Sequence, residues 1–241
     1  MREAQRGARF VVFDDFLSET AFDAAVQIME RTALSERVSA IRPADGSAYR
    51  SRGLSFPTDG DRPELVTHLA ATVHDEPDLF GPGHTDWGRV TFTFWQHPSG
   101  SRHSWHSDSG PGRRGEFILF THRHWDMSWG GELMVLDRDP DLLGTAGPDA
   151  AGPDAAGPCG DALTRVHNVL RSCAVDPVTI LPRPNRLVLL RSNTLHTVRR
   201  VDRTAGENLR CTLNGFVHGE SPALGGLPRA RREAPVAALA H

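Results

Sequence analysis

From Arg89 onward the chain is written in a two-residue period. In RVTFTFW, Val90, Phe92 and Phe94 alternate with Thr91, Thr93 and Trp95, the pattern of a strand with two unlike faces. Further short strands are expected at EFILF (116–120), ELMVL (132–136), PVTIL (177–181), RLVLL (186–190), HTVRRV (196–201) and LRCTLNGFVH (209–218). Gly, Pro and Asn punctuate them, and many short strands so divided close into a sandwich or jelly-roll barrel. Upstream the period lengthens. After a short strand at 9–13, Ser18 is placed to cap a helix whose apolar positions are Phe22, Val26, Met29 and Ala33. A second helix is expected from Asp61, with Pro63 in its first turn and Leu65, Val66, Leu69 and Val73 turned inward. The expected fold is mainly β with flanking helices, a barrel covered on one outer face by the N-terminal helices.

Between those helices, residues 35–62 read as a long loop carrying Arg42, Arg50 and Arg52. The pentapeptide repeat AGPDA-AGPDA-AGPCG at 146–160 has no apolar period. It marks a flexible insertion at about 140–165 in a single domain spanning 1–220, and 221–241 reads as a disordered tail. No apolar run reaches the roughly 20 residues of a membrane helix, and MREAQRGARF lacks the apolar stretch of a secretory leader. Cys159, Cys173 and Cys211 form neither a disulfide framework nor a CxxC metal motif. A cytoplasmic protein without a membrane partner is expected, and the sequence does not speak to its oligomeric state.

Composition narrows the chemistry. Lysine is absent, so all 27 basic residues are arginine. Schiff-base, pyridoxal-phosphate and Walker-type phosphate chemistry each need a lysine and are excluded. A net charge of −3 argues against a dedicated nucleic-acid binder. Histidine is abundant, at 12 residues, and is the commonest metal ligand. Three His-x-Asp spacings occur: His84/Asp86, His106/Asp108 and His124/Asp126. On a strand, residues i and i+2 share a face, so such a pair can converge on one ion. His84 sits in a glycine-rich loop and His124 at the start of a turn. Only His106 follows a long amphipathic strand and a tight turn (Pro98-Ser99-Gly100) and precedes another strand. With a second histidine from a distant strand, His106 and Asp108 would make a two-histidine, one-carboxylate triad that leaves positions open on Fe(II). His122 and His124 form an HxH, but the glutamate spacing of a cupin-like site is missing. Trp105, Trp125 and Trp129 read as packing or pocket-wall aromatics.

The last third supplies partners. His196 follows a buried strand and the short polar turn Arg191–Thr194. In LRCTLNGFVH, Leu209, Cys211 and Leu213 share one face, and Arg210, Thr212, Asn214 and Phe216 the other. Apolar outside and polar inside is the pattern of a strand lining a ligand-holding barrel. An arginine facing inward there needs an anion.

Four blocks in order, VVFDDFLSETAFD, SWHSDSG, FILFTHRHWDMSWGGEL and ILPRPNRLVLLRSNTLHTVRRV followed by RCTLNGFVH, resemble the Fe(II)- and 2-oxoglutarate-dependent dioxygenases, specifically the prolyl-4-hydroxylase-like group. The resemblance runs from Phe10 to His218 and implies a double-stranded β-helix. It implies that His106, Asp108 and His196 bind Fe(II), that Arg210 pairs with the far carboxylate of 2-oxoglutarate, and that Thr212 adds a hydrogen bond. The positions where relatives often carry tyrosine correspond to His97 and Phe120, so the secondary contacts to 2-oxoglutarate stay open. The implied reaction is hydroxylation of a C–H bond with molecular oxygen, coupled to decarboxylation of 2-oxoglutarate to succinate. A carboxylate at Asp108 favours hydroxylation over halogenation, which in relatives needs that position small. The substrate expected is a small amino-acid-like, peptidyl or specialised metabolite. The alternatives are a hydroxylase of prolyl or other residues in a protein, and a jelly-roll module that binds a ligand without turnover. Arg42, Arg50 and Arg52 could contact a carboxylate or phosphate on the substrate or belong to a solvated loop.

Overall fold

The computed structural model describes residues 1–39, 41–57, 63–108, 110–139 and 176–219. The expected insertion at about 140–165 and the tail at 221–241 lie outside the described residues. Thirteen strands and three α-helices are used below. They are β1 (Arg2–Arg6), β2 (Phe10–Asp14), α1 (Glu19–Arg31), β3 (Leu34–Val38), β4 (Ser47–Ser51), β5 (Leu54–Pro57), α2 (Glu64–His74), α3 (Pro77–Phe80), β6 (Arg89–His97), β7 (His103–His106), β8 (Arg113–Phe120), β9 (Leu133–Val135), β10 (Val178–Ile180), β11 (Leu187–Arg191), β12 (His196–Val198) and β13 (Arg210–His218).

The strands form two antiparallel sheets. The major sheet runs β1-β2-β11-β8-β13-β6-β4-β3, with β5 also on β6; the minor sheet runs β10-β9-β12-β7. Two apolar clusters follow from the two faces of the major strands. Phe10, Val12, Ile118, Phe120, Val188 and Leu190 face the minor sheet's Leu133, Val135, Ile180 and Val198 and fill the barrel. Their strand neighbours Val11, Phe13, Phe117, Leu119, Leu187 and Leu189 point the other way, with Cys211 and Leu213, and meet Val26 and Met29 of α1 and Val66, Leu69 and Val73 of α2. The period-two strands are thus apolar on both faces where both are covered, and the helices lie on the outer face of the major sheet.

Helix α1 starts where the sequence placed it: the Ser18 hydroxyl accepts from the Ala21 backbone N–H, and Glu19 sits in the first turn. Helix α2 begins after Pro63 rather than at Asp61. The described parts of 35–62 correct the expectation of a loop. They form β3, β4 and β5, and β4 and β5 extend the major sheet through β6, with Arg50 paired to Trp95. This segment is polar and carries no alternation, because its strands are added at a sheet edge where side chains stay largely exposed.

One buried ion pair joins the opening strand to the closing half. Arg186 donates from Nε to Asp14 Oδ1 (2.6 Å) and from Nη2 to Oδ2 (3.0 Å), with both side chains 9% exposed. The Arg186 hydrogen bond is the main reason the Asp14 carboxyl lies below its usual range. A carboxyl depressed in the folded state stabilises above its unfolded pKa of about 3.9 and loses that contribution as pH falls through the folded value. Asp14→Asn should therefore cost about 3 kcal/mol near neutrality. In denaturant titrations the gap between the two proteins should narrow below about pH 4; a gap independent of pH would show that the pair does not act through its charge.

Candidate active site

Strands β7 and β12 are antiparallel neighbours in the minor sheet, and His106 is directly opposite His196. The register places the two imidazoles side by side, ring centroids 4.2 Å apart. Asp108, two residues past the end of β7, turns its carboxylate to both: Oδ2 is 3.7 Å from His106 Nε2 and 3.9 Å from His196 Nε2. The three donor atoms lie within 4.8 Å of one another, the scale of one coordination sphere with bonds of about 2.0–2.2 Å. The other two His-x-Asp pairs form no such group among the described residues.

Both histidines are held in one tautomer. His106 Nδ1 donates to the Ser104 carbonyl (2.7 Å) and His196 Nδ1 to the Thr194 carbonyl (2.9 Å). A carbonyl only accepts, so the proton is on Nδ1 and each Nε2 offers a lone pair toward Asp108. Burial, reinforced by the neighbouring His196 ring, lowers His106 to about 4, and burial lowers His196 as well. Burial works against ionising Asp108, but His196, His106 and a hydrogen bond from Glu116 outweigh it and hold its pKa down. At neutral pH two neutral imidazoles and a carboxylate face one point, which is the protonation state metal binding requires. The N₂O donor set suits Fe(II) with open positions.

Glu116 was not singled out by the sequence reading. It starts the inward face that continues through Ile118 and Phe120, and its Oε1 is 3.2 Å from His196 Nδ1. Burial first, then the Asp108 charge, raises its pKa well above the usual range and favours the protonated acid beside Asp108. Asp45 was also missed. Fully buried, it accepts from Ser104 N (3.1 Å), Ser104 Oγ (2.7 Å), Arg102 Nε (3.0 Å) and Ser39 Oγ (3.0 Å). It fixes β7 beside the carbonyl that orients His106.

Across the barrel, Arg210 opens β13 opposite His97 of β6. Its guanidinium is 1% exposed, lies over the Phe120 ring at 4.9 Å and donates from Nε to the Gly131 carbonyl at 2.7 Å. Gly131 has φ +72, and a Cβ there would come within 2.9 Å of Arg210 Cδ; this glycine gives the arginine its room. Among the described residues Arg210 Nη2 has no hydrogen-bond partner, and neither do Thr212 Oγ1 and His97 Nδ1, all buried. Burial lowers Arg210 to about 9 and leaves it a cation at neutral pH. His97 and Phe120, the positions singled out for their missing tyrosines, thus both flank Arg210. His106, Asp108, His196, Arg210, His97 and Asn214 line one cavity of about 260 Å³. A buried cation with an unmet donor, beside further unmet polar atoms, calls for an anionic ligand, and a dicarboxylic oxo acid meets that demand.

The family model for the 2OG-Fe(II) oxygenase superfamily matches residues 91–218, more than half of the chain, and the chain belongs to that family. Members of this family are oxygenases that use Fe(II), 2-oxoglutarate and molecular oxygen, and this chain is one of them. A prolyl-4-hydroxylase from Pseudomonas putida superposes with a TM-score of 0.53 at 16% identity, over 88% of this chain and 93% of that one. An oxidoreductase of the 2OG-Fe(II) oxygenase family from Burkholderia pseudomallei gives 0.53 at 14%, over 92% and 95%. A Trichoplax adhaerens prolyl hydroxylase, solved with a hypoxia inducible factor peptide fragment, gives 0.53 at 13%, over 88% and 84%. These likenesses establish the double-stranded β-helix fold. Among proteins with curated descriptions, none matches the sequence significantly. No described helix is long and apolar enough to cross a membrane.

If Asp45 sets the metal strand, Asp45→Ala should lower stability by about 2–4 kcal/mol, because Arg102 and Ser104 lose a buried acceptor. It should also weaken Fe(II) binding although all three candidate ligands remain. Denaturation and an anaerobic Fe(II) titration measure the two effects; unchanged metal affinity would remove Asp45 from the site.

Proposed function

We propose that the protein hydroxylates an unactivated C–H bond of a small amino-acid-like, peptidyl or specialised metabolite, releasing succinate and carbon dioxide. His106, Asp108 and His196 hold Fe(II) through Nε2, a carboxylate oxygen and Nε2. Arg210 receives the far carboxylate of 2-oxoglutarate through its unpaired Nη2, and Thr212 Oγ1 supplies a further hydrogen bond. One domain, residues 1–220, carries the whole site. The observation that carries this reading is the pairing, in one cavity, of a converging N₂O triad with a buried, anion-free guanidinium.

Fe(II) with 2-oxoglutarate supplies the activation of molecular oxygen and the oxidising power for the C–H bond. The protein's residues do the remainder. The Ser104 and Thr194 carbonyls hold the imidazoles in their ligating tautomer, and Arg210 fixes the co-substrate by charge and bidentate geometry. The apolar walls of Ile118 and Val198 limit water in the cavity. Prolyl hydroxylases among the structural relatives make residues of a peptide or protein the second substrate class. The small cavity, ringed by charged side chains, favours a compact metabolite over an extended chain.

Adding Fe(II) and 2-oxoglutarate without oxygen should give a visible charge-transfer band. Asp108→Ala should abolish it, whereas Asp86→Ala and Asp126→Ala should not. Arg210→Ala should weaken 2-oxoglutarate binding by about 100-fold, the scale of a hydrogen bond to a charged group. A folded protein without the band would favour a ligand-binding module that does not turn over. Succinate formation screened against amino acids, peptides and extracts then reads the substrate class.

A further inference from the structure

Of the three arginines in the early polar segment, one lines the cavity. Arg50 on β4 stands opposite Trp95 of β6, which stands opposite Thr212 of β13, so the three share one face of the sheet. Its guanidinium lies over the Trp95 ring at 5.3 Å and makes no ion pair or side-chain hydrogen bond with any described residue. At the other side of the same cavity, Arg113 packs its guanidinium on the Phe216 ring at 3.9 Å and reaches the Asp108 carbonyl at 3.3 Å and Oδ1 at 3.8 Å. Between these two, on the inward face of β13, Asn214 Oδ1 is buried with no hydrogen-bond partner among the described residues.

The acids lining this cavity are Asp108 and Glu116. Asp108 is committed to the two histidines and Arg113, and Glu116 to Asp108 and His196. Arg210, at the closed end, is matched by the oxo acid. Arg50, solvent-exposed where it lines the cavity, is left as a cation held on an aromatic face that leaves its N–H groups free for a ligand. A cationic substrate head would be repelled here, and a neutral one would gain nothing from the charge.

We infer that the primary substrate is a small carboxylic acid whose carboxylate is anchored by Arg50, with an adjoining N–H or O–H donated to Asn214 Oδ1. Trp95 and Phe216 flank the carbon skeleton, and Arg113 adds to the positive field near the reacting end. This rests on the oxygenase reading above and adds to it a specificity-determining residue outside the metal and co-substrate positions.

The test uses the full chain loaded anaerobically with Fe(II) and 2-oxoglutarate. N-Acetylglycine and N-acetylphenylalanine are each titrated calorimetrically against the matching C-terminal carboxamide, which keeps shape and N–H but removes the charge. The acid of at least one pair should bind roughly ten-fold or more tightly than its amide, the scale of a charged hydrogen bond. Arg50→Gln should bring the ratio to about one, and Arg50→Lys should restore part of it. The charge-transfer band should persist in both variants, which shows that the metal and co-substrate positions are intact. Equal affinities, no binding of any probe, or a preference that survives Arg50→Gln would overturn the inference while leaving the oxygenase reading standing. Absence of the band from the unaltered protein would remove both.

Discussion

Withdrawing a guanidinium from water costs several kcal/mol unless hydrogen bonds and an anion replace what the solvent gave it. Arg210 is among the largest fully buried side chains, yet among the described residues its side chain donates one hydrogen bond, to the Gly131 carbonyl, and Nη2 has no partner. Much of the barrel's closed end follows from accommodating it. Gly131 takes a left-handed conformation and leaves space that a Cβ would fill; Phe120 presents its ring face; Thr212 and His97 leave polar atoms unpaired beside it. On the proposed reading a dicarboxylate would meet the demand for an anion, at the end of the cavity away from the triad.

The opposite wall solves a different problem, holding three weakly flexible donors at one point. Cross-strand register does most of it, because His106 and His196 are direct partners on β7 and β12 and cannot separate without breaking the minor sheet. β7 is short and its own packing is slight, which is why it leans on Asp45. That carboxylate accepts from both the backbone and the hydroxyl of Ser104, and the Ser104 carbonyl in turn holds His106. A turn far upstream in the chain thereby sets a metal-facing nitrogen.

Strand positions in the second half were legible because both faces of those strands are covered by apolar layers, so their residue pattern is nearly a map of burial. The candidate triad was legible from spacing and order, and Arg210 from the contrast between the two faces of β13. The polar strands β3 to β5 were not, since edge strands with exposed side chains carry no periodic signal. Asp45 was invisible for another reason. Its role depends on a contact with Ser104 across a gap that only the β3–β4 hairpin closes, and nothing local to Pro43-Ala44-Asp45-Gly46 distinguishes it from a surface turn. Arg50 lay between these cases, present in the reading as one of three arginines, and only the pairing of β4 with β6 separates it from Arg42 and Arg52.

Glu116 shows what position alone leaves out. Period-two alternation assigns it to the inward face with Ile118 and Phe120, and an inward acid beside a histidine-carboxylate set reads most simply as a fourth ligand. Its surroundings argue otherwise. Burial and the nearby Asp108 charge both favour the protonated form, and in that form it donates to Asp108 rather than competing with it. Like charges on neighbouring carboxylates repel, so the more deeply buried Glu116 is the one whose ionisation is disfavoured. The donation lowers the Asp108 pKa and steadies a side chain that sits beyond the end of β7, where backbone pairing no longer holds it. The protonated form favoured at Glu116 leaves Asp108 as the carboxylate that faces the two Nε2 atoms.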